Sequence, residues 1–522
     1  MNPTVCVLMA GMGKRMGSYA PYINKGLMPI DKKAVISHII GKFPGSAEFV
    51  VAIGHLGGQV KDYLAVTHPS AKITFVEVDN YNGPGSGPGY SLLCCRDMLR
   101  KPFYFVSCDT LWEGELCADT EQNWMATAKI DEADTATYCN FKIADNRVVS
   151  IHDKTRVTGE NYRAFTGLCF IRDFEIFWDG INSRELISGE HQVSCGIQAL
   201  VGKSVVKQHE VEWIDVGTFE NYKKAVSRYE DYDFSKTNEF LYIANGFVVK
   251  FFADQAIVEK RTAKAKLNPG IFPEILATRG QFYSYSFMQG QTLYERNNIG
   301  VFKRLLEWFD QNLWIERTVK SDDMRQICKT FYYEKTLKRL SEYHRKYKDA
   351  DVENIINGSR VPAVSELIKL IPWENLYSGK PSFMHGDLQF DNIIYTDQEK
   401  FLLLDWRQDF GGHVEFGDLY YDLAKLYGGI VLNYDYIKKK LISYSEDASG
   451  VSFDFAQRFS AGEYLETLMH FIRQKGWDTQ KVRILVPLIY LNMACLHHYP
   501  FDKMLYALGR LLLAEELKKH KN

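Results

Sequence analysis

Up to about residue 230, short apolar runs alternate with stretches whose apolar residues recur at helical spacing. Val5-Cys6-Val7-Leu8-Met9 reads as a buried strand, Ala34 to Phe43 as a helix, and Phe49 to Ile53 as the next strand. Ile73 to Val78 and Phe103 to Val106 follow as further strands. Strands alternating with helices imply right-handed crossovers and an α/β fold with a doubly wound, mostly parallel sheet. The polar, turn-rich stretch Asp231 to Asn238 then interrupts the pattern and predicts a domain boundary. Beyond it, Glu239 to Ala244 and Phe247 to Phe252 read as two strands around an Asn245-Gly246 hairpin turn. A helix is expected from about Gln255 to Lys266. From about Thr292 onward the pattern is mostly helical, broken by a short strand near Phe401 to Leu404.

Composition narrows the class. A chain of 522 residues holds several domains' worth of sequence. Its 63 basic and 65 acidic residues give a formal charge of −2, which argues against a nucleic-acid binder. Ten scattered cysteines without a Cys-x-x-Cys pair suggest reduced thiols and a cytoplasmic setting. Met1 to Leu8 lacks a basic, then apolar, leader pattern. The most apolar later run, Ile484 to Tyr490, contains Pro487 and is far short of the ~20 residues a membrane span needs, so no membrane insertion is expected. Aromatic residues make up 14% of the chain, which points to aromatic cores.

The first strand runs into Ala10-Gly11-Met12-Gly13-Lys14-Arg15-Met16-Gly17. A glycine-rich turn after a first strand lets backbone N–H groups approach phosphates, and Lys14 and Arg15 add cations. The spacing is neither that of a dinucleotide-binding loop, since position 16 is Met16, nor that of a Walker loop. Asn24-Lys25-Gly26-Leu27-Met28-Pro29 follows. Together these segments resemble the nucleotidylyltransferases that make nucleoside-diphosphate sugars and alcohols, although Asn24 stands where that family usually has proline and Met9 replaces a small residue. The resemblance spans roughly residues 3 to 230. It implies that Ala10, Gly11, Gly13, Gly85 and Gly87 hold the nucleotide, the last two within the Gly/Pro-rich loop Asn82 to Gly89. Arg15 and Lys25 would neutralise the triphosphate. Lys154 would contact the substrate phosphate, and Asp109 and Asp215 would hold Mg²⁺. In such a reaction a phosphate oxygen attacks the α-phosphorus in line and pyrophosphate leaves, so positioning and charge neutralisation do the work.

The second half carries His385-Gly386-Asp387-Leu388-Gln389-Phe390-Asp391-Asn392, then Phe401-Leu402-Leu403-Leu404-Asp405-Trp406. This pair of motifs resembles the aminoglycoside phosphotransferase and choline kinase group, over about residues 239 to 522. It implies a bilobal, protein-kinase-like fold with a small β-rich lobe and a large helical lobe. Asp387 would accept the substrate hydroxyl's proton, and Asn392 and Asp405 would ligate Mg²⁺ on the ATP phosphates. His385 would brace the loop. Lys250 would meet the α- and β-phosphates, oriented by Glu259 or Glu239, of which Glu259 is preferred. Phe287 to Gly290, with Met288, would form the adenine-binding hinge. Asp418, Asp422 and Trp406 are candidates for contact with the acceptor, bracing of the large lobe being the alternative for the two aspartates. Trp406, Tyr420 and Tyr421 are where a cationic substrate would find aromatic faces.

The expected organisation is therefore a nucleotidylyltransferase domain over 1–232 and a kinase-like domain over 238–522, with lobes of about 238–290 and 291–522. The resemblances imply consecutive steps. ATP phosphorylates a small alcohol, amino-alcohol or polyol, and CTP or another NTP then activates that phosphate, as a donor for surface polysaccharide or lipid decoration. A sugar phosphorylated and then activated, or one domain acting only as a ligand sensor, are the competing readings.

Overall fold

The computed structural model describes residues 2–182, 186–187, 189–229 and 236–519. Part of the expected boundary, 231–235, lies outside these. The chain divides into two compact units. One comprises 1–230, 235–255 and 277–284; the other comprises 231–234, 256–276 and 285–522.

The first unit is built on a nine-stranded sheet: β1 (Thr4–Met9), β2 (Glu48–Ile53), β3 (Lys72–Glu77), β4 (Phe103–Ser107), β5 (Asn123–Ala128), β6 (Cys139–Ala144), β7 (Arg147–Asp153), β8 (Tyr162–Ile171) and β9 (Val206–Glu210). Their order across the sheet is β3-β2-β1-β4-β8-β5-β9-β7-β6. β3, β2, β1 and β4 are parallel neighbours; β1, β2 and β4 are largely apolar and buried, as strands covered on both faces require, whereas the edge strand β3 is partly exposed. β8 then enters antiparallel to β4, and the far side of the sheet is mixed. Every residue of β1 is buried, and the sheet has one apolar cluster around Val5, Val7 and Met9 and another around Cys6, Leu8 and Ala10, as alternation across a strand requires.

A second, four-stranded sheet contains the expected hairpin. β10 (Glu239–Ala244) and β11 (Phe247–Phe252) pair through a turn in which Asn245 and Gly246 both take positive φ, 51° and 80°. β12 (Ala277–Arg279) and β13 (Phe282–Ser286) complete it. By packing, β10 and β11 belong to the first unit. Phe240, Tyr242, Val249, Phe251 and Phe282 share one core with Val5, Tyr63 and Met28, and the Tyr242 hydroxyl donates to the Leu27 carbonyl at 2.9 Å.

The second unit is mostly helical. The helix Leu419–Val431 is buried along nearly its whole length, and Ala461–Gln474 and Thr479–Ala494 pack on it. The helix Phe501–Lys519 packs in turn on Thr479–Ala494. A small sheet of Gln291–Thr292, Ile393–Tyr395 and Phe401–Leu403 frames the His385 segment. A four-stranded sheet of Asn354–Ile356, Ser359–Val361, Ile442–Asp447 and Gly450–Phe455 was not expected from the helical pattern. Its strands are short and half exposed, so they lack a continuous apolar signature. All ten cysteines are free thiols, and no helix among the described residues is long and apolar enough to cross a membrane.

Candidate active sites

In the first unit, β1 ends at Met9 and the chain turns through Ala10 to Gly13. Gly13 takes φ 62°, a conformation costly for a residue with a side chain, and a Cβ there would lie 3.4 Å from Lys25 Cβ. Lys25 is held by its neighbour. Asn24 is buried and donates to the carbonyls of Met9 and His55, both at 2.9 Å, while its own oxygen accepts from the Gly26 N–H at 3.0 Å. A proline could make none of these bonds, which gives the departure at position 24 a structural purpose.

Lys25 Nζ lies 2.5 Å from Asp109 Oδ2, and the Ser107 hydroxyl donates to Asp109 Oδ1 at 2.5 Å. Burial pushes the Asp109 carboxyl up, but the charge and hydrogen bond of Lys25, with help from Ser107 and Arg15, outweigh it and bring its pKa down to about 2. Asp215 comes from the short strand Trp213–Asp215, which pairs with Thr110–Trp112 immediately after Asp109. Its carboxylate accepts from the Gly217 N–H at 2.7 Å, the Tyr138 hydroxyl at 2.8 Å and the Asn221 amide at 2.6 Å. A Cβ on Gly217 would sit 2.7 Å from Asp215 Oδ1 and 3.3 Å from Asp109 Oδ2, so both carboxylates border one small space.

Among the described residues, no three His, Cys, Asp or Glu side chains gather to hold an ion by themselves. Two carboxylates, with phosphate oxygens and water completing the shell, are nonetheless a donor set that Mg²⁺ takes, and Asp109 and Asp215 fit it. Arg15 is exposed beyond the loop, and Lys14 donates to Asn82 at 2.9 Å. The Gly83–Gly89 loop is pinned by backbone bonds from Gly85 N to Gly189 O and from Gly89 N to His191 O. Gly87, at φ 121°, has the His191 carbonyl 2.6 Å from where a Cβ would stand. Lys154 is exposed, at positive φ, with the Glu190 carboxylate 3.9 Å away.

In the second unit the His385 segment forms a tightly braced loop. The His385 Nε2–H donates to the Leu404 carbonyl at 2.7 Å, and Nδ1 accepts from the Asp387 N–H at 3.0 Å. That pairing defines the neutral ring, and burial brings its pKa down to about 4, so His385 is a brace and no base. Asp422 accepts from the His385 and Gly386 N–H groups at 2.8 and 2.6 Å, which makes it part of the loop's support rather than an acceptor contact. The Asn392 amide N–H donates to the Asp387 carbonyl at 2.9 Å, which leaves the side-chain oxygen as the atom that could meet a cation. Asp405, at φ 55°, lies 3.7 Å from Arg261. Asn392 and Asp405 supply the oxygen donors Mg²⁺ prefers.

Two residues were missed by sequence reasoning. Lys425 lies 2.7 Å from Asp387 Oδ1. It sits in the apolar run Leu423-Ala424-Lys425-Leu426, and a lone lysine on a buried helix face was the available signal. Lys264, fully buried, donates to the Arg407 carbonyl at 2.9 Å behind the loop.

Other expectations need correction. Trp406 has no exposed surface: its indole donates to the Arg261 carbonyl and its ring packs at 4.6 Å on Phe272, so it is core and cannot contact an acceptor. Asp418 is equally buried. It accepts from the Tyr332 hydroxyl at 2.7 Å and the Lys380 N–H at 2.8 Å, and it caps the helix Leu419–Val431 through Tyr420 N. Tyr420 and Tyr421 already face this chain's own cations, Lys481 at 4.8 Å and Lys335 at 6.0 Å. Of the remaining expected residues, Lys250 is buried on β11, and Glu259 and Met288 are exposed.

Residues 5–142 match the MobA-like NTP transferase domain and residues 303–445 match the phosphotransferase enzyme family. The chain thus joins a nucleotidyltransferase domain to a kinase-type phosphotransferase domain, a bifunctional transferase. Comparison with curated proteins yields no match. Among solved structures, a UDP-glucose pyrophosphorylase in complex with UDP-glucose is 15% identical, with a TM-score of 0.39 over 44% of this chain and 98% of its own. A putative glucose-1-phosphate thymidylyltransferase from Bacillus anthracis is 17% identical, with a TM-score of 0.37 over 45% and 98%. The CTP:phosphocholine cytidylyltransferase from Streptococcus pneumoniae is 17% identical, with a TM-score of 0.36 over 44% and 99%.

Proposed function

We propose that the two domains, 1–232 and 238–522, catalyse consecutive steps on one small hydroxyl compound. In the first, the substrate hydroxyl attacks the γ-phosphorus of ATP, its proton passes to Asp387, and ADP leaves. In the second, an oxygen of the new phosphate attacks the α-phosphorus of an NTP, CTP being the nucleotide we favour, and pyrophosphate leaves. The product is a nucleoside-diphosphate-activated alcohol. Asp387 is held for its role by Lys425, whose charge and hydrogen bond, with the charge of Arg407, outweigh burial and lower its pKa, so it is an ionised acceptor at neutral pH. In the other domain, Lys25 and Arg15 neutralise the triphosphate, Lys154 meets the acceptor phosphate, and the loops containing Gly11, Gly13, Gly85 and Gly87 hold the nucleotide. Bound between Asp109 and Asp215, or at Asn392 and Asp405, Mg²⁺ would neutralise charge on the phosphate oxygens.

The observation that carries the reading is the convergence of Asp109, Asp215 and Lys25 at one strand edge in a chain whose other half presents Asp387 on a braced loop. The test is a matrix of hydroxyl compounds against ATP with CTP, UTP, GTP or dTTP and Mg²⁺, read by mass spectrometry. ADP, pyrophosphate and a nucleotide-linked product are expected together. Failure of any NTP to release pyrophosphate with a phosphorylated acceptor would overturn the second step.

A further inference from the structure

Beside Asp387 the chain gathers more positive charge than its own carboxylates neutralise. Phe331, Lys335 and Arg339 recur every fourth residue, and Tyr421 and Lys425 are one turn apart on the facing helix Leu419–Val431. The two stripes meet: the Phe331 and Tyr421 rings are 5.0 Å apart, centroid to centroid. Lys335 Nζ lies 4.0 Å from the centre of the Phe331 ring, and the Arg407 guanidinium lies 5.1 Å from the same ring. Arg407 follows the Asp405-Trp406 motif and packs against the catalytic loop, its Cβ only 2.6 Å from where a side chain on Gly386 would begin.

Two of these cations are matched. Lys425 pairs with Asp387 at 2.7 Å, and Arg339 with Glu342 at 2.9 Å. Lys335 and Arg407 have no carboxylate within ion-pair distance among the described residues, and the Arg407 side chain makes one hydrogen bond among them, from Nε to the Asp409 carbonyl at 3.1 Å. Burial, and then the charges of Arg407, Lys425 and Arg339, hold the Lys335 ammonium well below its ordinary range. Partly buried cations that repel one another and lack a counter-charge are what an anion-binding site looks like before its ligand arrives.

We infer that the phosphate acceptor of the kinase domain is an anionic hydroxy compound, carrying a carboxylate or a phosphoryl group, whose charge is received by Lys335 and Arg407 while its hydroxyl meets Asp387. This rests on the kinase reading above and narrows its substrate class: a cationic amino-alcohol would face Lys335, Arg407 and Lys425 together. The carboxylate and the phosphoryl group share the recognising chemistry. The reaction balances as written: the O–P bond to the acceptor forms, the bond from the γ-phosphorus to its bridging oxygen breaks, ADP leaves, and the proton goes to Asp387.

The test compares small hydroxy acceptors of different charge: glycerol, ethanolamine, glycerate and glycerol phosphate, with ADP formation by the full chain as readout. The expected result is that kcat/KM for one or both anionic acceptors exceeds that for glycerol, and that Lys335→Met and Arg407→Met each lower this ratio about tenfold or more. Lys335→Arg should restore most of the ratio at position 335. Glycerate against glycerol phosphate distinguishes the two anions. To guard against variants that fail to fold, thermal stabilisation of the Asp387→Asn protein by each acceptor, without turnover, should follow the same order. Ethanolamine preferred over both anions, or an unchanged ratio in folded variants, would overturn the inference alone. No ADP with any acceptor, and no stabilisation by any of them, would overturn the kinase reading beneath it.

Discussion

At Asp109 two effects oppose each other, and the outcome sets the charge of the proposed transferase site. Burial alone would favour the protonated acid, but the ammonium of Lys25 at 2.5 Å keeps it ionised. Removing that partner should cost doubly: Lys25→Ala is expected to lower the rate of pyrophosphate release by about two orders of magnitude or more, and steady-state kinetics with a phosphorylated acceptor would read it. Gly217 offers a subtler probe. Its missing side chain leaves room for the Asp109 and Asp215 carboxylates, so Gly217→Ala should cut transferase turnover at least tenfold while ADP formation by the kinase half continues. An unaltered transferase rate in this variant would mean that the two carboxylates do not act together. Asn24 belongs to the same scale. Its difference from the usual proline was legible in the sequence, but its purpose, a set of hydrogen bonds made by one buried residue, was not, because three of its partners come from positions 9, 55 and 59.

At the scale of elements, one helix does most to shape the kinase loop. Leu419–Val431 begins on the Asp418 cap, supports the His385-Gly386 backbone through Asp422 and reaches Asp387 through Lys425. The motif itself was readable, because a fixed local spacing suffices to recognise it. The residues that hold it lie some thirty-five positions downstream and meet it only once the helix packs, so nothing in the local pattern tied them together. The hairpin at Asn245-Gly246 was legible for the opposite reason: both residues favour the positive φ that a tight turn demands. Because Asp418 caps the helix and receives Tyr332 and Lys380, Asp418→Ala should destabilise the fold by about 2 kcal/mol or more, counting the cap and the partners left unsatisfied. A lowered melting temperature with an unchanged acceptor KM is expected; a raised KM in a protein of normal stability would restore Asp418 to the acceptor site.

The His385 brace makes this loop sensitive to acid. Burial brings the native pKa from 6.5 to about 4, so between those values the unfolded chain binds a proton that the native ring refuses. Stability from this group is therefore complete above pH 6.5 and is lost progressively as the pH falls toward 4. Chemical denaturation at a series of pH values should show that decline, and it should be shallower in His385→Gln, which keeps a donor but does not titrate.

At the scale of the whole molecule, packing and motif draw different lines through the chain. The strands Glu239–Ala244 and Phe247–Phe252 follow the boundary expected from the sequence, yet their rings complete the core of the first unit. Tyr242, Phe251 and Phe282 have no exposed surface, and burying each such side chain contributes about 1.5–3 kcal/mol. Together that is comparable to the net stability of a typical domain, about 5–15 kcal/mol. A fragment ending at residue 232 would expose Tyr63 and its neighbours where those rings now pack. It is therefore expected to melt well below the intact chain and to aggregate, whereas the intact chain carrying Asp387→Asn, which keeps a polar partner for Lys425, should keep its transferase activity toward a pre-phosphorylated acceptor. Calorimetry and pyrophosphate release on the two proteins side by side would check this. A fragment 1–232 as stable and active as the whole chain would show that the hairpin's burial contributes little and that the sequence boundary is also the boundary of folding.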